Sequence, residues 1–219
     1  MVMARAAGRT DLAPFVVLAP VLISLWGTAL QSSGEVVAEE RGGGTLELLV
    51  AAPTSTELAI LGRISASTAL GLIAVPETLL IARALGIPLM IHEPLLFTIA
   101  MLALVPAIAG VGLIMSSAFV LARSTRLFQN VLGSPFYILA GVAFPVTLLP
   151  TWIQPLSGLV AISWGADVLR ATATPSGGSR TGEDILAILL LAVIYLALGH
   201  GLFARIMRHI RVDGSVVGG

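Results

Sequence analysis

Long stretches without a single charged residue constrain this chain more than any other feature of its sequence. Residues 12–34, 94–122 and 127–166 contain no Asp, Glu, Lys or Arg. A helix needs about 20 mostly apolar residues to cross the hydrocarbon core of a bilayer. Only 11% of all residues are charged, whereas soluble domains carry roughly a quarter. Lipid accepts such a surface and water does not, so the sequence predicts an all-α integral membrane protein.

The apolar pattern predicts about five transmembrane helices in one domain that covers residues 1–219. Their expected bounds are 12–34, 58–84, 94–122, 129–149 and 185–204. The uncharged stretch 127–166 is too long for one span, and Pro145, Pro150 and Pro155 interrupt it. We expect one span there, followed by a short re-entrant or interfacial helical pair at 151–172. Two complete spans in this stretch are the alternative.

A polar segment, residues 35–57, separates the first two spans. It is acidic and contains three consecutive glycines at 42–44. Residues 45–50 are expected to form a short amphipathic helix, with Thr45 as its N-cap. Glu57 has the spacing from Thr54 that is typical of a capping box at the start of the next span.

Arginine marks the cytoplasmic side of a membrane protein. Arg205, Arg208 and Arg211 follow the last span, which predicts a cytoplasmic C-terminus. Counting back through five spans places the segment 35–57 in the cytoplasm as well. The same count places the N-terminal arginines outside, so either an upstream span is missing or the span count is wrong by one.

Several functions are excluded or disfavoured by composition. The chain has no Lys and no Cys, so it contains neither a P-loop nor a thiolate metal site. It also lacks the His-Glu-x-x-His and Gly-x-Ser-x-Gly motifs. Its net charge is zero, which does not favour nucleic acid. We predict no catalytic residues, no metal site and no nucleic-acid partner.

A few polar residues within or near the spans are candidates for function. Glu77 lies in the second span, where it lines a substrate path, snorkels to the interface or pairs with Arg83. Asp167 and Arg170 are three residues apart, so they pair on one helical face as an anchor or contact substrate. His200 is either a packed or interfacial histidine or a proton relay. Small residues recur in the spans and suit close helix packing, among them Gly71, Gly110, Gly112 and Ser116.

Residues 39–53, E-E-R-G-G-G-T-L-E-L-L-V-A-A-P, resemble the E-R-E-R-G-T-L-E-x-L-L-x-T-P signature of ABC-2 type permeases, the membrane subunits of type-2 ABC exporters. The resemblance continues in family order over about residues 12–210, at 57–63, 116–126, 141–145, 150–157 and 167–170. Family members usually have six spans, whereas here the first is missing. A late start codon, a truncation or a genuine five-span subunit would each explain that difference.

The resemblance implies a coupling helix that docks onto a separate ABC ATPase subunit. It assigns this role to Glu39, Glu40, Arg41, Gly44, Thr45, Leu46, Glu47 and Leu49. ATP and Mg would bind to the partner, so no cofactor is expected on this chain. A second permease copy or a paralogue, a location in the plasma (inner) membrane, and a hydrophobic or amphipathic substrate are also implied.

The short outer loops are most similar to the drug and antibiotic efflux branch of that family. A lipid substrate remains open. An ion-coupled secondary transporter is the main alternative, but such proteins usually place several polar groups at the midplane, where Glu77 is nearly alone. A membrane-embedded enzyme is disfavoured by the missing motifs.

Overall fold

The computed structural model describes residues 13–42, 56–87, 89–121, 129, 133, 135–142, 146–174 and 180–213. All regular elements in these ranges are helical. They are α1 (Ala13–Gly42), α2 (Thr56–Gly71), α3 (Ala74–Ala84), α4 (Pro94–Leu121), a 3₁₀ turn (Val146–Leu148), α5 (Gln154–Ser157), α6 (Ala161–Thr172) and α7 (Thr181–Asp213). The predicted all-α membrane fold is confirmed.

Four helical segments in the described ranges are long and apolar enough to cross a membrane, one fewer than predicted. They are Val16–Val36, Glu57–Ala84, Pro94–Val120 and Thr181–His209. One of the four consists of α2 and α3 together. The predicted fifth span, 129–149, is described only in part. Residues 135–139 are helical, but the chain then turns at 140–142. Gly141 has φ 61° there, a conformation that glycine adopts without steric cost.

Two helices extend well beyond the apolar stretches that identified them. α1 continues to Gly42, so the first eight residues of the predicted polar segment 35–57 are helical. α7 continues to Asp213, past the predicted span end at 204. Glu, Ala and Arg are good helix formers, and no proline interrupts either extension. The drop in hydropathy marks where the membrane ends and not where the helix ends.

The second membrane crossing consists of two helices, α2 and α3, with a break at Leu72–Ile73. Pro76 has no N–H group, so it cannot donate to the carbonyl of Leu72 as a helical residue would. Instead, the N–H of Val75 donates to that carbonyl at 2.9 Å. The N–H groups of Leu72 and Ile73 likewise bond three residues back, to Ala69 and Leu70. The predicted span 58–84 is therefore one crossing with a change of helical geometry in the middle.

α4 lies at the centre of the bundle and packs against α1, α2, α6 and α7. In its most apolar stretch 61% of the residues are buried, against 22% for both the α2–α3 crossing and the α7 crossing. Those two crossings keep exposed apolar faces that include Leu70, Leu80, Leu190 and Val193. Such faces suit contact with lipid.

Small residues allow the helices to approach closely, as the sequence indicated. A Cβ atom on Gly110 of α4 would lie 2.9 Å from Cβ of Tyr195 in α7. A Cβ atom on Gly112 would lie 2.7 Å from a methyl carbon of Ile64 in α2. The hydroxyl of Ser116 donates a hydrogen bond to the carbonyl of Ser33 in α1 at 3.0 Å.

The short helices α5 and α6 occupy the region predicted as a helical pair at 151–172. α6 has 12 residues, a length of about 18 Å, well short of the roughly 30 Å of a hydrocarbon core. Two complete spans therefore do not occur in the described part of 127–166. α6 is largely buried against α4 and α7. The N–H of His92 donates to the carbonyl of Thr172 at 2.8 Å and so caps the C-terminal end of α6.

Candidate coupling site

Three helix ends meet at one end of the bundle: the C-terminal end of α1, the N-terminal end of α2 and the C-terminal part of α7. Two polar contacts between helices lie there. Arg63 of α2 pairs with Glu39 of α1, with 2.7 Å between nitrogen and oxygen. His200 of α7 lies with Nδ1 2.8 Å from both carboxylate oxygens of Glu57, the second residue of α2. The first turns of α2 therefore make polar contacts with both α1 and α7.

The Glu39–Arg63 pair is exposed. Its side chains keep 59% and 48% of their surface accessible. Exposed ion pairs of this kind contribute about 0–1 kcal/mol to stability. The pair therefore contributes little to the stability of the bundle.

The Glu57–His200 contact is more sheltered on the carboxylate side, because the Glu57 side chain is only 18% exposed whereas His200 is 68% exposed. The tautomer that carries its hydrogen on Nδ1 donates to the carboxylate. α2 packs mainly on α1 and α4, and α7 packs mainly on α4 and α6. The contact thus joins two helices that share α4 as a partner but otherwise pack on different helices, α1 and α6. His200 is thus an exposed, hydrogen-bonded residue, which is compatible with the interfacial alternative of the sequence prediction and not with the packed one.

We expect a double-mutant cycle of Glu57→Gln and His200→Gln to show a coupling energy of about 1 kcal/mol, the usual net value of a hydrogen bond. Unfolding of each variant in detergent micelles would measure it. The Glu39→Gln, Arg63→Gln cycle is the matched control, and its coupling should be smaller because that pair is exposed. Additive single effects at Glu57 and His200 would contradict the described contact.

The predicted coupling residues are only partly described. Glu39 lies on the exposed side of α1. Glu40 and Arg41 belong to α1, but their side chains lie outside the described residues. Gly44, Thr45, Leu46, Glu47 and Leu49 also lie outside them, as does the capping partner Thr54. In the described residues, α1 ends and α2 begins at the same end of the bundle, the end at which Glu57 and His200 lie.

Asp167 and Arg170 lie in α6, away from the coupling end. Their charged atoms are 3.5 Å apart. Arg170 is 12% exposed, and its guanidinium also donates to the carbonyls of Gly141 and Val142 at 2.6 and 2.8 Å. Desolvation raises the pKa of Asp167 above that of an ordinary aspartate, and the charge of Arg170 opposes the shift. The hydrogen bonds from Arg170 to these two carbonyls hold the turn 140–142 against α6.

Glu77 lies exposed in the first turn of α3. Among the residues that the structure describes, it makes no ion pair with Arg83. Two residues six positions apart on one helix are about 120° apart around its axis, so the two side chains lie on different faces. The predicted pairing of Glu77 with Arg83 is therefore not seen, and a role of Glu77 in a substrate path stays a prediction.

Four membrane-length apolar crossings in the described residues, with α4 buried among the other three, define a multi-pass integral membrane protein. Residues 4–199 match the family model described as ABC-2 family transporter protein. The chain belongs to this family, and the resemblance noted in the sequence is confirmed. Proteins of this family are membrane components of transporters and not enzymes.

Two relatives carry the name nodulation protein J. The protein from Bradyrhizobium diazoefficiens is 24% identical over 113 residues, which cover 48% of this chain and 43% of that protein. The protein from Sinorhizobium fredii is 25% identical over 147 residues, which cover 67% of this chain and 55% of that protein. The chain spans about half the length of the curated relatives that it matches.

Proposed function

We propose that this chain is the membrane-spanning subunit of an ATP-driven exporter, coupled through residues 35–57 to a separate ATPase subunit. The substrate is hydrophobic or amphipathic: a drug, an antibiotic or a lipid. Family membership supports the exporter class. A chain without Lys has no P-loop, so ATP and Mg bind on the partner. A second permease, identical or paralogous, completes the membrane part.

One observation carries the proposal: α1 ends and α2 begins at the same end of the bundle as the C-terminal arginines of α7. α7 carries Arg205 and Arg208 there, and arginine is enriched on the cytoplasmic side. This supports a cytoplasmic C-terminus in the plasma membrane and cytoplasmic flanks for the segment. The cytoplasm is where a soluble ATPase subunit acts.

The contacts at this end suggest how a movement of the segment reaches the bundle. Glu57 lies at the start of α2 and bonds to His200 of α7, while Arg63, further along α2, bonds to Glu39 of α1. A displacement of the start of α2 therefore acts on three membrane helices together. Rigid-body shifts of packed helices are a common form of such transitions.

The proposal is tested by exchanging the acidic residues of the segment, Glu39, Glu40 and Glu47, for Ala. We expect the variant to fold and insert, but to lose about tenfold or more in ATP-dependent transport of a hydrophobic dye in proteoliposomes that also contain the co-purified ATPase subunit. Charged groups at such an interface provide steering and register. Size-exclusion chromatography in detergent would verify the fold.

Glu183→Ala is the control, because Glu183 is exposed in the first turn of α7 at the opposite end of the bundle. It should leave transport unchanged. Unaltered coupling in the triple variant would contradict the assignment of the segment. Transport that needs an ion gradient and no ATP would instead favour a secondary transporter.

A further inference from the structure

A groove of about 750 Å³ lies beside α3, at the opposite end of the bundle from the coupling site. Its walls come from α3 and from residues 86–87 and 89–91, which precede α4. Arg83 is the one charged residue among the described residues that line it, and the other side chains there are apolar. The groove is open to the outside, and no described part of the chain fills it.

One side of the groove is formed by the C-terminal end of α3, where the backbone makes a regular turn. The N–H of Ile87 donates to the carbonyl of Ala82 at 2.9 Å, and the N–H of Gly86 donates to that of Arg83 at 3.0 Å. This is the bond pattern of a Schellman motif, and Gly86 has the expected positive φ of 65°. The turn that shapes the groove is therefore determined by the backbone and does not need an occupant.

Arg83 lies in the last turn of α3, one residue before the end of the Glu57–Ala84 crossing. Its guanidinium is thus placed at the level where the apolar core of the membrane gives way to the headgroups. Among the described residues it has no carboxylate partner. Glu77 and Glu93, the acidic residues nearest to it in sequence, do not line the groove.

The apolar wall of the groove is exposed. Leu80 is 67% exposed and Met90 is 72% exposed, and both line the groove beside Arg83. A guanidinium binds phosphate through two parallel hydrogen bonds, whereas the wall beneath it suits only hydrocarbon. A free phosphate ion would leave most of this volume empty. The complementary molecule carries a phosphate on an apolar chain.

We propose that this groove is a binding site for an anionic phospholipid, whose phosphate lies on Arg83 and whose acyl chain lies along Leu79, Leu80 and Met90. The lipid belongs to the leaflet opposite the coupling site. The inference does not depend on the proposed function, because it requires neither ATP nor an ATPase partner.

Native mass spectrometry of the full chain in detergent, titrated with phosphatidylglycerol or phosphatidylcholine, tests the proposal. We expect one phosphatidylglycerol to be retained per chain, in preference to phosphatidylcholine. Arg83→Gln should weaken this binding about tenfold, because a hydrogen-bonded charge contributes about 1.5 kcal/mol or more. Leu80→Trp, which fills the groove, should weaken it without changing the elution of the protein on size exclusion.

Arg180→Gln is the matched control. Arg180 is exposed at the same end of the bundle and lies outside the groove, so its loss should leave lipid binding unchanged. Equal weakening by both arginine variants would mean general surface attraction and would overturn the proposal. Retention of both lipids alike, or displacement of the lipid by inorganic phosphate at equal concentration, would also overturn it.

Discussion

Arg170→Met is expected to lower the free energy of unfolding by about 3 kcal/mol. The Arg170 side chain is 12% exposed, and its hydrogen bonds to the carbonyls of Gly141 and Val142 are charge-assisted. Hydrogen bonds to charged groups contribute about 1.5–3 kcal/mol, and buried acceptors left without a donor add a further cost. Methionine keeps the length of the side chain but offers no donor to these carbonyls.

The measurement is the temperature at which the detergent-solubilised protein loses its monodisperse peak, which should fall by roughly 5–10 °C. Arg170→Lys is an informative intermediate, because an ammonium keeps the charge but not the planar fork of donors. Arg180→Gln, at an exposed position, should change the temperature little. An Arg170→Met protein as stable as the wild type would show that the turn 140–142 is held by other contacts.

Gly110→Leu is expected to destabilise the bundle by about 3 kcal/mol, at the upper end of the usual cost of overpacking. A Cβ atom at this position would lie 2.9 Å from Cβ of Tyr195 and 3.0 Å from the backbone nitrogen of Leu196. Neither atom belongs to the flexible end of a side chain, so α4 and α7 must separate. The hydrogen bond from Tyr195 to the carbonyl of Leu159 would be strained by the same shift.

Gly201→Leu is the control, because no atom lies within 4 Å of the Cβ position at Gly201. That change should be neutral or slightly stabilising, since Gly is about 1 kcal/mol less favourable than good helix formers within a helix. Thermal unfolding of both variants in the same detergent makes the comparison. Equal stabilities would mean that α4 and α7 do not cross closely at Gly110.

Hydropathy predicted the helices well and their ends poorly, for a physical reason. An uncharged stretch is determined by the thickness of the membrane, whereas a helix ends where its hydrogen-bond ladder ends. α1 therefore continues through Glu35 and Glu39 to Gly42. In the opposite direction, the helix at 135–139 ends before the apolar stretch does, because Gly141 takes up a positive φ.

The contacts of the candidate site could not be predicted from local sequence. Glu57 and His200 are 143 residues apart, and no periodicity connects them. Their meeting follows only from the fact that α2 starts, and α7 finishes, at the same end of the bundle. The local Asp167–Arg170 pair was predictable from its spacing. The hydrogen bonds from Arg170 to the turn at 140–142 were not predictable in this way. The roles of Gly44, Thr45, Leu46, Glu47 and Leu49 in coupling stay predictions.

The break at Leu72–Ile73 divides the second crossing into two helices of unequal length, α2 and α3. Around the break the backbone bonds reach back three residues instead of four, so the ladder that would make one stiff rod is interrupted. α3 makes its own contacts with α1, separate from those that α2 makes. A tilt imposed at Thr56 would therefore be taken up at the break, so that α2, the longer of the two helices, changes its angle while α3 stays in place against α1.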